Sequence, residues 1–166
     1  STSRGLGDVY KRQVLAIPHN GNISNGLMFS TTDSYGNKIN TKYASQRSRW
    51  EPLYEVTQIK GDAETHQMLA PNDEFANYER WDKGNLNASV VKEQDMLKHE
   101  YARSALKLGI QFQEKLGVNP FKFGMIGSTD AHTGIPEAAE NNYWGKLTNY
   151  EPNPNSCLLY TSPSPR

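Results

Sequence analysis

The sequence predicts an α/β protein with parallel strands, and three observations carry that prediction. Apolar runs at 14–17, 52–59 and 121–126 have the length and composition of strands. A pattern of helical period separates the second run from the third. Each run is followed by a polar loop that carries a histidine, and functional groups of parallel α/β sheets collect at strand C-termini.

In chain order, residues 14–17 read VLAI, an apolar run stopped by Pro18 and expected to be a fully buried strand. The loop 18–26 follows, dense in Asn and Gly. Residues 52–59 form the second strand and run into the polar loop 60–66. The stretch 67–87, with Trp81 and several acids, lacks periodicity and is expected to be loop with a short helix. Between about 88 and 116 the period becomes helical, with Leu97, Tyr101, Ala105, Leu108, Phe112 and Leu116 on one face. Gly117 supplies the C′ residue and Pro120 the stop. The third strand spans 121–126, and the Asn- and Pro-rich end, 134–156, is expected to be irregular. No internal repeat occurs.

The two ends are expected not to be protein in origin. A codon string for residues 3–13 has a reverse complement that, read from its second base, encodes residues 157–166. Residues 1–13 and 157–166 are therefore read as translated sequencing-library adapter and set aside. The chain carries 18 basic and 18 acidic residues; without Arg4, Lys11, Arg12, Arg166 and Asp8, residues 14–156 hold 14 against 17, a net charge of −3. A mildly acidic chain without basic runs gives no support for nucleic-acid binding. No stretch is long and apolar enough to span a membrane. The only cysteine, Cys157, lies in the adapter segment, so no disulfide argument applies. The sequence specifies neither localisation nor oligomeric state.

Candidate chemistry centres on the segment 123–132, FGMIGSTDAH. In an extended backbone, Asp130 and His132 point to the same side, offering a hard oxygen and a borderline nitrogen to Zn, Mn or Fe. His19 and His66 follow the first two strands and join them as expected ligands. Asp62, Glu64 and His66 alternate, which fits either a solvated loop or convergence of Glu64 and His66 on one site. Glu55 is either a further carboxylate of the site or a satisfied buried acid. His99 is expected to be a solvated helix residue, Arg47 and Lys60 surface charges, and Asn20, Asn22 and Asn25 turn formers. Ser128 and Thr129 have no evident base and sit in no nucleophile elbow. If chemistry occurs, water activated by a divalent ion is its natural agent.

Three blocks, VLAIPHNGNISNGLMF at 14–29, YEVTQIKGDAETH at 54–66 and KFGMIGSTDAHT at 122–133, resemble the bacterial domain-of-unknown-function 3604 family, with similarity over 14–156. That family is in turn similar to the polymerase and histidinol phosphatase (PHP) superfamily. The resemblance implies a PHP-like distorted (β/α)7 barrel of TIM type with two or three metal ions at its strand C-termini. His19 then matches the histidine of the third superfamily motif, and Asp130 with His132 matches the Asp-x-His of the fourth. His66 matches the histidine after the intervening strand. The first two motifs belong upstream of Val14, so the chain is expected to hold the C-terminal portion of the barrel, with the N-terminal strands missing. A bisected barrel exposes strand edges, and the chain alone is expected to be poorly folded and inactive. The parent is expected to be a metal-dependent phosphoesterase acting on a small-molecule ester. His19, His66, Asp130 and His132 would be ligands, and Asp130 would also orient the attacking water. The alternatives are hydrolysis of a sulfate ester or an amide at the same site, and a non-catalytic metal- or ligand-binding module.

Overall fold

The computed structural model describes residues 15–133 together with 139, 141, 146 and 147. Residues through Gly127 form one compact unit, and those from Ser128 onward a second. The terminal segments assigned to adapter and nearly all of 134–156 lie outside the described residues.

The first unit is mixed α/β. Helix α1 spans Thr41–Trp50, strand β1 Leu53–Gln58, strand β2 Gly61–Asp62, helix α2 Ala102–Leu116 and strand β3 Gly124–Gly127. Short 3-10 turns lie at Gly21–Ile23 and Leu97–His99. The strands make an open sheet in the order β2-β1-β3. As the sequence predicts, β1 and β3 are parallel, pairing Leu53 with Gly124 and Tyr54 with Met125. Strand β2 was expected to be loop; it folds back on β1 as an antiparallel hairpin, Thr57 opposite Asp62 and Gln58 opposite Gly61.

The expected first strand does not form over 15–17. Those residues run alongside β1, tied by Ala16 N–H to the Trp50 carbonyl (2.8 Å) and by Glu55 N–H to the Pro18 carbonyl (3.0 Å). Pro18 has no N–H to return, so a parallel ladder is not completed. Leu15 and Ile17 are exposed rather than buried. Strand β3 also differs from expectation, because all four of its residues are exposed. Among the described strands it lies at the edge of the sheet.

The helical pattern at 88–116 yields an α-helix only from Ala102. Upstream, short polar side chains take the backbone donors: Asn85 accepts from Val90 N–H and Asn87 from Ser89 N–H, both at 3.2 Å. Residues 67–87 are turns without a helix. The C-terminus of α2 is as expected, with Gly117 left-handed (φ 73°) and its N–H returned to the Gln113 carbonyl. Helix α1 was not expected from the sequence, since only Ala44 of its ten residues is buried. Asn40 caps it by accepting from Tyr43 N–H at 3.0 Å, and Pro52 prevents its extension.

The core is aromatic. Phe29 meets Tyr54 edge-on at 5.1 Å and Phe121 at 5.4 Å, and it stacks on Phe123 at 5.7 Å. Helix α2 closes this cluster with Ala102 and Ala105. Burying each ring stabilises the fold by about 1.5–3 kcal/mol. Two side chains expected in solvent are drawn in. Arg47 lies 4.9 Å over the Phe121 ring, pairs with Glu51 and donates to the Met28 carbonyl. His99 Nδ1 lies 3.0 Å from the Phe29 carbonyl, and Phe29 N–H donates to the His99 carbonyl.

Candidate functional site

The loop that carries His19 is fastened to the C-terminal end of β1. Asn20, left-handed at φ 60°, accepts from the side chain of Gln58, the last residue of β1. Asn22 is 1% exposed and donates to the carbonyls of Lys60 (2.9 Å) and Trp81 (3.4 Å). Positive φ at Asn20 and Asn25 agrees with turn chemistry; Asn22 instead clamps three segments together. Gly21 packs so closely on the Tyr54 hydroxyl and the Glu100 carbonyl that a Cβ there would collide with both. His19 itself is exposed.

Beneath this loop lies a buried ion pair that the sequence reading missed. Lys92 Nζ sits 2.6 Å from Glu100 Oε2, with side chains 7% and 1% exposed. Lys92 also donates to the Asn22 carbonyl, and the other Glu100 oxygen accepts from Gly26 N–H at 3.2 Å. Around it, the Asn22 side-chain oxygen and the hydroxyls of Tyr54 and Tyr101 are buried without a hydrogen-bond partner among the described residues. Burial pushes both phenols far above their ordinary range, so they remain neutral donors.

His66 is 4% exposed and packs against the Tyr101 ring at 5.5 Å. Its Nδ1 accepts from Met68 N–H at 3.1 Å, and its Nε2 faces Asp82 Oδ2 at 3.6 Å. Burial lowers its pKa below the usual 6.5, with Arg80 adding to that and Asp82 opposing it. Asp82 reaches this position because Gly61, at φ +100°, has no Cβ. One placed there would lie 2.7 Å from Trp81 Cβ and 2.9 Å from both Trp81 N and the Glu79 carbonyl oxygen. Asp62 N–H then holds the Glu79 carbonyl at 2.8 Å.

Glu64 does not turn toward the partners of His66. It pairs with Arg103 at 2.7 Å, and Arg103 also grips Asp73. Glu55 is buried within β1. A cleft of about 260 Å³ opens between the hairpin and Arg103, lined in part by Asp62, Glu64, Tyr78 and Glu79, and His66 is not among its walls.

In the second unit, Asp130 and His132 do meet: His132 Nε2 lies 3.1 Å from Asp130 Oδ1. The backbone route differs from the extended one expected, because Asp130 is left-handed at φ 53°. Its second oxygen pairs with the Lys146 ammonium, so the carboxylate already holds one cation. His132 is exposed at 59% of its side chain while Asp130 is largely covered.

Among the described residues, no group of three or more His, Cys, Asp or Glu side chains is gathered as a metal-binding set. No helix there is long and apolar enough to cross a membrane. Asp130 and His132 have the donor chemistry of a divalent-metal half-site, and His19 presents an open imidazole. His66 fits poorly, because a ligating imidazole donates through its second nitrogen, whereas here the second nitrogen accepts.

Comparison with curated proteins and with solved structures finds no match. A family model described as "Protein of unknown function (DUF3604)" matches residues 6–162, a range that overlaps both terminal segments set aside above. On that match, which spans nearly the whole chain, the protein belongs to the DUF3604 family.

Proposed function

We propose that the parent protein is a metal-dependent hydrolase of phosphate esters, and that the open sheet is a sector of a distorted (β/α)7 barrel. The observation that supports this reading most is the gathering of histidine-bearing loops at the C-terminal end of β1. The 18–26 loop is hydrogen-bonded there to Gln58 and Lys60, and His66 follows the hairpin that begins there. Strand β3 runs parallel to β1 and is followed three residues later by Asp130. Parallel α/β sheets keep their chemistry at that end.

In this reading Asp130 and His132 hold divalent metal, His19 is a metal ligand of the first unit, and Asp130 orients the attacking water and accepts its proton. When bound, Zn, Mn or Fe would acidify that water and polarise the scissile group. The Lys146 ammonium beside Asp130 suits a site that receives an anionic substrate. The test is turnover of a panel of phosphate and sulfate esters by the full-length protein supplied with each metal. The Asp130→Ala variant is expected to lose a factor of roughly 10² or more. Undiminished turnover in that variant would remove the mechanism. Turnover of sulfate esters alone would keep the site and change the substrate.

A further inference from the structure

We infer that His66 is a positioning residue and not a metal ligand: its ring joins two loops and presents the Asp82 carboxylate to solvent. The inference rests on the metal reading only in that His66 was one of its expected ligands.

The argument begins with the ring's two nitrogens. Nδ1 accepts a hydrogen bond from Met68 N–H at 3.1 Å, so its lone pair is used and it carries no proton. In a neutral imidazole the proton then sits on Nε2, the atom that faces Asp82 at 3.6 Å. A metal at Nε2 would require that proton to leave with Nδ1 still unprotonated, which makes an imidazolate. A metal at Nδ1 would have to displace Met68 N–H. Ligating histidines avoid both problems by donating from the second nitrogen to a carbonyl or carboxylate.

The surroundings hold the ring in this state. Tyr101 covers one face, and the side chain is 5% exposed. Burial and the nearby Arg80 cation favour the neutral form. Asp82, by contrast, is 33% exposed, and Arg80 lies 3.4 Å from the same oxygen that His66 faces. Its other oxygen is left to accept from outside. The 3.6 Å separation is a close polar contact, longer than a formed N–H···O bond. Gly61 and the Asp62–Glu79 bond carry the Asp82 segment to the ring, and the Met68 bond carries the other loop. His66 is therefore the polar rivet between residues 65–68 and 80–82.

Nitrogen-15 spectra of the histidine rings, recorded on the full-length protein before and after addition of Zn2+, test the assignment. Before metal, His66 is expected as the Nε2–H tautomer, with Nδ1 bare. After metal, the ring signals of His132 and His19 move while His66 and the Met68 amide do not. A zinc-shifted nitrogen on His66, or an Nδ1–H tautomer before metal, would overturn the inference. If no histidine responds to Zn2+, the metal reading fails, and His66 is still judged by its metal-free tautomer. His66→Gln, which keeps an N–H donor for Asp82 but is a poor ligand, is expected to restore the Asp82 and Trp81 amide signals that His66→Ala displaces. Equal disruption by both variants would count against a positioning role.

Discussion

At the residue scale, the most consequential groups are charged ones that the fold has taken out of water. Lys92 and Glu100 satisfy each other and fasten the histidine-bearing loop through Asn22 and Gly26. Lys92→Met leaves Glu100 buried and unpaired, so it should cost about 3–5 kcal/mol in urea unfolding. Replacing both by apolar residues should recover much of that loss, because the desolvation of two charges disappears as well. Asp62 titrates in the opposite sense to a paired carboxylate. Burial raises its pKa above 3.8, against hydrogen bonds from Glu64 and Thr65 N–H. The folded protein therefore holds a proton over a window in which the unfolded chain has lost it. The stability tied to Asp62 is full below pH 3.8 and declines as pH rises through the elevated value. Asp62→Asn should flatten that decline, measured as unfolding free energy against pH.

At the scale of elements, the hairpin β1–β2 organises more than its length suggests. Gly61, the first residue of β2, admits the 79–82 segment, and that segment brings Asp82 to His66. Gly61→Ala meets backbone and Cβ atoms of Trp81 at under 3 Å and a φ of +100°. It should displace the segment, read as loss of amide-exchange protection at Asp62 and altered indole signals of Trp81. What the sequence disclosed at this scale follows from periodicity. Strand β1, the face of α2 and the Gly117 stop were legible because β-branched and aromatic composition, three-four spacing and a C′ glycine each leave a local trace. Helix α1 leaves almost none: it buries Ala44 alone and owes its start to the Asn40 cap. The site was half legible in the same sense. Histidines after strands can be read locally, whereas Asp82, Lys92 and Glu100 become partners only through contacts 8 to 74 residues apart in sequence. Arg47 and His99 were misassigned to solvent for the same reason, since their partners Met28 and Phe29 lie far upstream.

At the scale of the whole molecule, the sheet of the first unit is open on the side of β3. Met125 and Ile126 are 50% and 37% exposed on an edge that no described strand covers. An uncovered apolar edge pairs with other chains. Light scattering of the isolated chain should therefore show mass rising with concentration, and Met125→Lys should suppress that rise. The parallel pairing of β1 with β3 has a further consequence, in time. Residues 53 and 124 are adjacent in the sheet but are separated by 70 intervening residues of synthesis. At about 5–20 residues per second, a ribosome needs roughly 4–14 seconds to make that interval. Throughout it the nascent chain can form the hairpin but not the pair that completes β1. Tyr54, which ends fully buried, must wait for the two phenylalanines that precede β3, Phe121 and Phe123. The centre of the sheet is thus translated well before the strand that finishes it.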